Sequence, residues 1–398
     1  MDERVWRLPG PRGFVREVVA EHRRGRHVAT VLPEALSSDA IFTDSLAVAV
    51  LDDFASQSVV ARRVFQVVGS GSLLQTFCQA LIFDDQPATI PDLLNHPEVR
   101  DTVAVVVAGD LRAPDRNDLS RFLHRVELES HAGDPGRRLS IVAILGRNQL
   151  PNFAGGASSD IAMTSIWWWA RVARWDVAAH VAGLPERGDL TGVLEDVRAE
   201  TVVEVARWDL DLAEQLSATW SGEPGDLPSL LKDWRIVPVP AVGGHRLSVD
   251  ALRPPELLLE SWDERAVESW HHYQCVAGCA LAAEPERLSR VLWAAQARVL
   301  LPWIEERRAD LHSRLTEKLG AARLASVLHE RFDPPMKADS LVEIGTLDKV
   351  VRMIIGATDV ELRDAARRLR DARNCLAHMQ PLSLGEQANL LAACQCLL

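Results

Sequence analysis

The stretch Val103-Ala104-Val105-Val106-Val107-Ala108-Gly109-Asp110 reads as a strand covered on both faces: a short β-branched run without polar alternation, closed by a glycine and a carboxylate. Three runs of the same kind surround it in the chain, His27–Leu32, Val64–Val68 and Leu139–Leu145. Between them, Asp39–Asp53, Ser72–Phe83 and Asp115–Ser130 carry apolar residues at helical spacing, each opening on Asp or Ser as a cap. Strands and helices in alternation predict an α/β layer fold with a mainly parallel sheet.

Working outward, Ala162–Val181 holds Trp167, Trp168, Trp169 and Trp175 in a mixed helical pattern, read as a packing plate and ended by Gly183-Leu184-Pro185. Glu195–Leu216 is a further predicted helix, and Trp220–Asp226 a boundary. Residues 226–263, with Pro238, Pro240, Gly243, Gly244, Pro254 and Pro255, read as an extended connector. From there the pattern is helical throughout: Glu264–Ala283, Glu286–Arg331, Ser340–Ile355, Asp359–Met379 and Leu384–Leu397, with Pro334-Pro335 and Pro381 at breaks. The expected organisation is an α/β domain over 1–225, a connector over 226–263 and an all-α domain over 264–398.

The 398 residues allow two or three domains at about 100–200 residues each. With 47% hydrophobic and 25% charged residues, the chain is neither disordered nor collagenous. Its apolar runs are far shorter than the roughly 18 residues of a membrane span. The N-terminus carries Arg7, Arg12 and Arg16 without the apolar stretch of a secretory signal, so a cytoplasmic location is expected. Six irregularly spaced cysteines argue for thiols rather than a disulfide framework. A formal charge of −12 excludes binding nucleic acid through a general positive field, while leaving room for a small basic site.

A strand ending in Gly109-Asp110 invites an NTPase reading, but a phosphate-binding loop needs Gly-Lys-Ser/Thr, and none of the four lysines follows a glycine. The first strand runs instead into Pro33-Glu34-Ala35-Leu36-Ser37-Ser38. Asp110 is therefore read as structural. Gly69-Ser70-Gly71 supplies two glycines of a dinucleotide fingerprint, but Leu74 holds the third position, which favours a plain tight turn. Asp52-Asp53 and Asp84-Asp85 read as solvated helix ends. With Val103–Asp110, Leu139–Gln149, Trp175-Asp176 and the Glu204-Val205-Ala206-Arg207-Trp208-Asp209 segment, residues 20–220 resemble the inactive STAND modules of bacterial conflict and signalling systems, which look like P-loop NTPases without the phosphate loop. That resemblance implies a receptor or adaptor platform.

The sharpest motif is Leu369-Arg370-Asp371-Ala372-Arg373-Asn374-Cys375-Leu376-Ala377-His378, near the end of an arginine-rich helix. It resembles the HEPN superfamily of nucleotide-binding and ribonuclease domains, in which an arginine, commonly followed by a small polar residue, precedes a histidine by four to six residues. On a regular helix Asn374 and His378 share a face, so the amide can orient the imidazole, whereas Arg373 lies about 140° away from His378. One motif is thus a half-site, and the resemblance implies a homodimer that apposes two. RNA cleavage without a metal needs a base, an acid and cations on the phosphate. His378 can serve as base and acid, and Arg373 as a bidentate phosphate ligand. Arg363, Arg367 and Arg370 on the same helix are the candidate RNA contacts.

His271, Cys275 and Cys279 recur at helical spacing but lack a fourth ligand, so no metal and no cofactor is expected. Trp293 and Trp303 read as a core or dimer seam. The expected protein is a metal-independent endoribonuclease effector in bacterial antiviral defence or a toxin-like stress response. Its α/β platform, or a protein bound to it, would restrain it. The alternatives are a non-catalytic dimerising scaffold and a nucleotide sensor acting through Gly69–Gly71.

Overall fold

The computed structural model describes residues 3–66, 71–82, 87–130, 139–150, 163–185, 188–234, 252–331, 342–355 and 358–397. The elements to the end of the sheet are α1 (Pro9–Arg23), β1 (His27–Leu32), α2 (Glu34–Ser37), α3 (Ala40–Ser56), β2 (Val60–Val64), α4 (Leu73–Leu81), α5 (Ile90–Leu94), β3 (Thr102–Val107), α6 (Ala113–Glu129), β4 (Ser140–Gly146) and β5 (Met163–Trp167). There follow α7 (Arg174–Ala182), α8 (Val193–Ala206), α9 (Leu210–Thr219), α10 (Leu227–Trp234), α11 (Leu259–Asp263), β6 (Val267–Trp270) and β7 (Tyr273–Val276). The chain ends with α12 (Pro285–Leu319), α13 (Ala321–Arg331), α14 (Ile344–Val350), α15 (Val360–Ala377) and α16 (Leu384–Ala393).

Two compact units result, one from residues 1–180 and 237–277, the other from 181–236 and 278–398. The first is α/β. Its sheet is parallel, in the order β2-β3-β4-β1-β5. Every residue of β1, β3 and β4 is buried, as continuous Val/Ile/Leu runs demand when helices cover both faces. α1 and α3 pack together, and α4, α5 and α6 form a second group. Right-handed crossovers put these groups on opposite faces, because β1 to β2 runs across the sheet one way and β2 to β3 to β4 runs back. His27 ties the layers inside: its Nδ1 accepts the Ile141 N–H at 3.0 Å, and its Nε2 lies 2.8 Å from Ser130 Oγ. Because Ser130 Oγ donates to the Val126 carbonyl, the imidazole is the donor in its pair with Ser130.

The second unit is helical among its described residues. α12 runs through it, against α8 on one side and α15 on another. Its core joins Leu300, Ile304 and Leu311 of α12 to Leu347 and Val350 of α14 and to Leu362, Leu369 and Leu376 of α15.

Several elements differ from the sequence reading. Residues 195–216, expected in the first domain, belong to the helical unit as parts of α8 and α9. Glu264–Ala283, expected as helix, contains the β6–β7 hairpin: Trp270 faces Tyr273, and His271 and His272 take φ of 52° and 65° between them. That is a two-residue turn of the left-handed kind favoured between twisted strands. His271, Cys275 and Cys279 therefore share no helical face, and no metal-holding cluster exists among the described residues. The second strand lies at Val60–Val64 rather than Val64–Val68, and the tryptophan segment supplies a fifth strand in place of helix. The expected helix Glu286–Arg331 breaks at Gly320, whose φ is +83°. Of the connector, α10 and α11 are helical, and 235–251 lie outside the described residues. No helix among the described residues is long and apolar enough to cross a membrane.

Glu268 on β6 is buried, accepting the N–H groups of Ala170 and Ser269, both at 2.9 Å, and facing the Trp262 indole at 3.3 Å. Burial penalises its charged form more than these donors favour it, so its pKa is raised to about 8. A raised folded-state pKa contributes stability that is complete below the unfolded value and lost as pH rises through the folded one. The melting temperature is therefore expected to fall between pH 5 and pH 8, the window set by values of 4.5 unfolded and about 8 folded. In Glu268→Gln that slope flattens while stability drops at acid pH, because an amide nitrogen then meets the Trp262 N–H. Paired thermal melts across this range check it, and parallel curves for the two proteins would disprove it.

Candidate functional site

In an open parallel sheet, ligands bind outside the carboxyl ends of the strands. Here that edge is filled by the protein's own carboxylates. β1 ends at Leu32, and Glu34 opens α2 with its Oε1 accepting the Asn148 N–H at 2.8 Å from the turn after β4. A Cβ on Gly146 would lie 2.6 Å from both Glu34 Oε1 and Ser37 Oγ, so the close approach requires glycine. Asp263 accepts the Glu34 N–H and pairs with Arg147 at 2.5 Å. Burial pushes its carboxyl up, against the pull of Arg147. The backbone N–H groups that would cradle a phosphate are thus spent on side chains.

Asp110, after β3, is likewise occupied. Arg63 Nε and Nη2 reach its two oxygens at 2.8 and 2.9 Å, and Arg63 also bonds Asp44. A guanidinium stands where a carboxylate-held cation would sit, in keeping with a structural Asp110. Gly71 donates its N–H to Gln75 Oε1 at 2.8 Å, and Ser72 caps α4. Gly69, Ser70, Asp84 and Asp85 lie outside the described residues. Millimolar MgATP is expected to shift the melting temperature of the full chain by less than about 1 °C, since ligand at 100 times Kd would add about 2.7 kcal/mol. A rise of several degrees in a thermal-shift titration would refute this.

The Arg-Asn-x3-His motif ends α15. Asp359 caps the helix start by accepting the Leu362 N–H at 2.9 Å, and the pairing with Lys318 at 2.5 Å holds its carboxyl below the usual range. Leu362, Ala365, Ala366, Leu369, Ala372 and Leu376 form the buried face, which leaves Arg363, Arg367, Arg373 and Asn374 on the exposed one. His378 is not itself helical. It is the C-cap, with φ −94° and ψ 16°, and its N–H donates to the carbonyls of Asn374 and Cys375 at 3.0 and 3.1 Å. Met379 then turns the chain with φ +57°.

The expected Asn374–His378 side-chain bond does not form. Among the described residues, the side chains of Arg373, Asn374 and His378 make no hydrogen bond or ion pair. The backbone around them is held firmly. Trp293 Nε1 donates to the Leu376 carbonyl at 2.6 Å, Gln296 Oε1 accepts the Leu382 N–H at 2.6 Å, and Gln296 Nε2 donates to the Leu382 carbonyl at 2.8 Å. Gln387 donates to the same carbonyl at 3.1 Å. Neither Trp293 nor Gln296 is legible as a partner of this motif; a buried glutamine within an apolar helical stripe is the one signal.

The arginines divide. Arg367 bonds Asp364, while Arg370 bonds Asp371 and the fully buried Asp348. Arg363 and Arg373 have no carboxylate partner among the described residues. Arg363 and Arg367 line a groove of about 640 Å³ against Ala392, Gln395 and Cys396. It is distinct from the Arg373–His378 end, since Arg363 and Arg373 lie ten residues apart, about 15 Å along the helix. One protomer therefore does not gather all the predicted site residues into one cleft.

Gln296→Leu is expected to cost about 1–3 kcal/mol, because the Leu382 N–H loses its partner in a buried site. Amide exchange at residues 379–383 should accelerate while α8 keeps its protection. Unchanged exchange in that loop would show that the clamp does not hold it.

No family model and no curated protein matches the chain. Among solved structures, "Structure of the Aeropyrum Pernix ORC2 protein (ADPNP-ADP complexes)" is 10% identical, covers 96% of this chain and 93% of its own, and has a TM-score of 0.27. A likeness at that score supports no conclusion about fold or activity.

Proposed function

We propose that the chain is a metal-independent endoribonuclease of the HEPN type, acting as a homodimer in the cytoplasm. Its α/β unit would be an inactive STAND-like platform that restrains the helical unit. One observation carries the reading: the end of α15 and its cap present Arg373, Asn374 and His378, exposed and without side-chain partners among the described residues, on a backbone locked by Trp293 and Gln296. Arg63 and His27, by contrast, are paired inside the α/β unit. Side chains fixed at the root and free at the tip suit a site whose partners arrive from outside.

In this reading a neutral His378 takes the proton of the ribose 2′-hydroxyl as its oxygen attacks phosphorus. A protonated His378 of the second copy gives a proton to the departing 5′-oxygen. The products are a 2′,3′-cyclic phosphate and a 5′-hydroxyl, so no outside reactant is needed. Arg373 places its fork of donors on the phosphate oxygens. Asn374, having no bond to His378, serves the substrate. The filled sheet edge supports a platform that does not turn over nucleotide. The proposed setting is bacterial antiviral defence or a toxin-like stress response.

A non-catalytic dimerising scaffold is the second reading. It is favoured by the engagement of Arg367 and Arg370 with carboxylates, which thins the cationic surface of α15. Incubation of the full chain with total RNA in EDTA separates the two. The enzyme reading expects cleavage that survives chelation and falls at least 100-fold in both His378→Ala and Arg373→Ala. A bell-shaped pH–rate profile that disappears in His378→Ala, and products ending in cyclic phosphate, are also expected. No cleavage, or cleavage untouched by either variant, leaves the scaffold.

A further inference from the structure

α3 is apolar on two sides. Phe42, Leu46, Val50 and Phe54 are fully buried on its inner face, while Ile41 and Val48 are 67% and 46% exposed on the outer one. A surface helix ordinarily turns a polar face to water. Ile41 and Val48, seven residues apart, sit on one stripe of the helix, about 10 Å apart. They line a groove of about 620 Å³ whose opposite wall comes from α1 and the turn before it, including Trp6, Arg12 and Val15.

The charges along this groove are ordered. α1 and α3 run in the same direction, since the Trp6 ring meets Phe42 at 5.6 Å and the His22 ring meets Phe54 at 5.4 Å. Arg7 and Arg12 therefore flank the first half of α3, and Asp52 and Asp53 stand at its far end. Of the other charges, Asp44 is taken by Arg63, and Asp53 also accepts the Gln57 amide at 2.9 Å. Arg7, Arg12 and Asp52 have no side-chain partner among the described residues. Ile41 and Val48 lie alongside Arg7 and Arg12 in the first half of the strip, and Asp52 and Asp53 close the other end.

A strip of this kind complements itself when turned end for end, the operation of a twofold axis. We propose that a second copy of this chain docks here. The two α3 helices run antiparallel, with Ile41 and Val48 of each copy in the groove of the other. Arg7 and Arg12 of one copy meet Asp52 and Asp53 of the partner. A parallel arrangement would oppose like charges at both ends. The inference concerns the α/β unit alone and stands whether or not the helical unit cleaves RNA.

Light scattering or sedimentation of the full chain between 1 and 50 µM tests it. The wild type is expected at twice the 44.0 kDa chain mass, weakening with salt. Val48→Asp and Arg12→Asp each raise the dissociation constant at least tenfold, and the exposure of both positions keeps the fold, checked by unchanged melts. The double exchange Arg12→Asp with Asp52→Arg restores association to within threefold, because each new pair forms across the axis. Three results overturn the proposal: a monomeric wild type, as expected if a foreign helix fills the groove; a dimer that Val48→Asp and Arg12→Asp leave intact; or a double exchange that fails to restore. A monomeric wild type would count against the homodimeric enzyme as well, whereas a dimer that Val48→Asp and Arg12→Asp leave intact overturns this proposal alone.

Discussion

One buried carboxamide fixes the end of the helical unit. Gln296 is 1% exposed, and its oxygen and nitrogen are spent on the backbone N–H and carbonyl of one residue, Leu382. A buried amide must find partners for donor and acceptor alike, and the main chain of a single residue supplies both here. The chain between His378 and Leu382 consequently has one path to follow. It makes the left-handed turn at Met379 and returns an N–H from Gln380 to the Cys375 carbonyl at 3.0 Å. Trp293 adds a second fastening one turn earlier. Without these bonds the last turn of α15 would fray, as helix ends do when their carbonyls lack partners. The exposed motif owes its definition to residues that never touch its side chains.

The α/β unit applies the same rule of satisfaction in the opposite sense. At its carboxyl edge the sheet presents backbone N–H groups to a place that a ligand would ordinarily occupy. Glu34 and Asp263 fill that place, and Arg147 neutralises part of the charge they bring. Arg63 does the same at Asp110. The N–H groups of Glu34, Gly146 and Asn148 are paired within the chain, so a phosphate taking them would have to displace a carboxylate and leave it buried and uncompensated, at a cost of several kcal/mol. An edge closed in this way is a fixed surface, suited to presenting helices and loops rather than to turnover.

The sequence reading succeeded where the burial pattern is simple. β1, β3 and β4 lie on the expected runs within a residue or two, since strands covered on both faces advertise themselves as unbroken apolar stretches. α15 and α16 were also plain, through the caps Asp359 and Ser383 and the break at Pro381. β2 was displaced because it is an edge strand whose Arg62 and Arg63 hide its period. β5 was lost because it is five residues long and runs straight into consecutive tryptophans, which masked its period. The β6–β7 hairpin was hidden because histidines, not Asn-Gly, take its left-handed turn. At the site, the motif was legible because it is local. Its clamp was not, since Gln296 and Leu382 stand 86 residues apart and nothing in either neighbourhood names the other.

Charge limits the proposed RNA site. In a protomer with a formal charge of −12, Arg363 and Arg373 are the arginines of α15 without carboxylate partners among the described residues, a thin footing for a polyanion. Two copies double that count, and a phosphate held by two guanidiniums is the least such a site requires. Helical units associating alone would have to bring these like charges together unaided. Pairing through a separate, charge-complementary face of the α/β unit changes the problem. The chain passes between the units after residues 180, 236 and 277, so joining one pair confines the other. Tethering of this kind supplies effective concentrations reaching the millimolar range, provided the geometry lets both pairs engage. Contacts at α15 too weak to dimerise a free unit would then suffice.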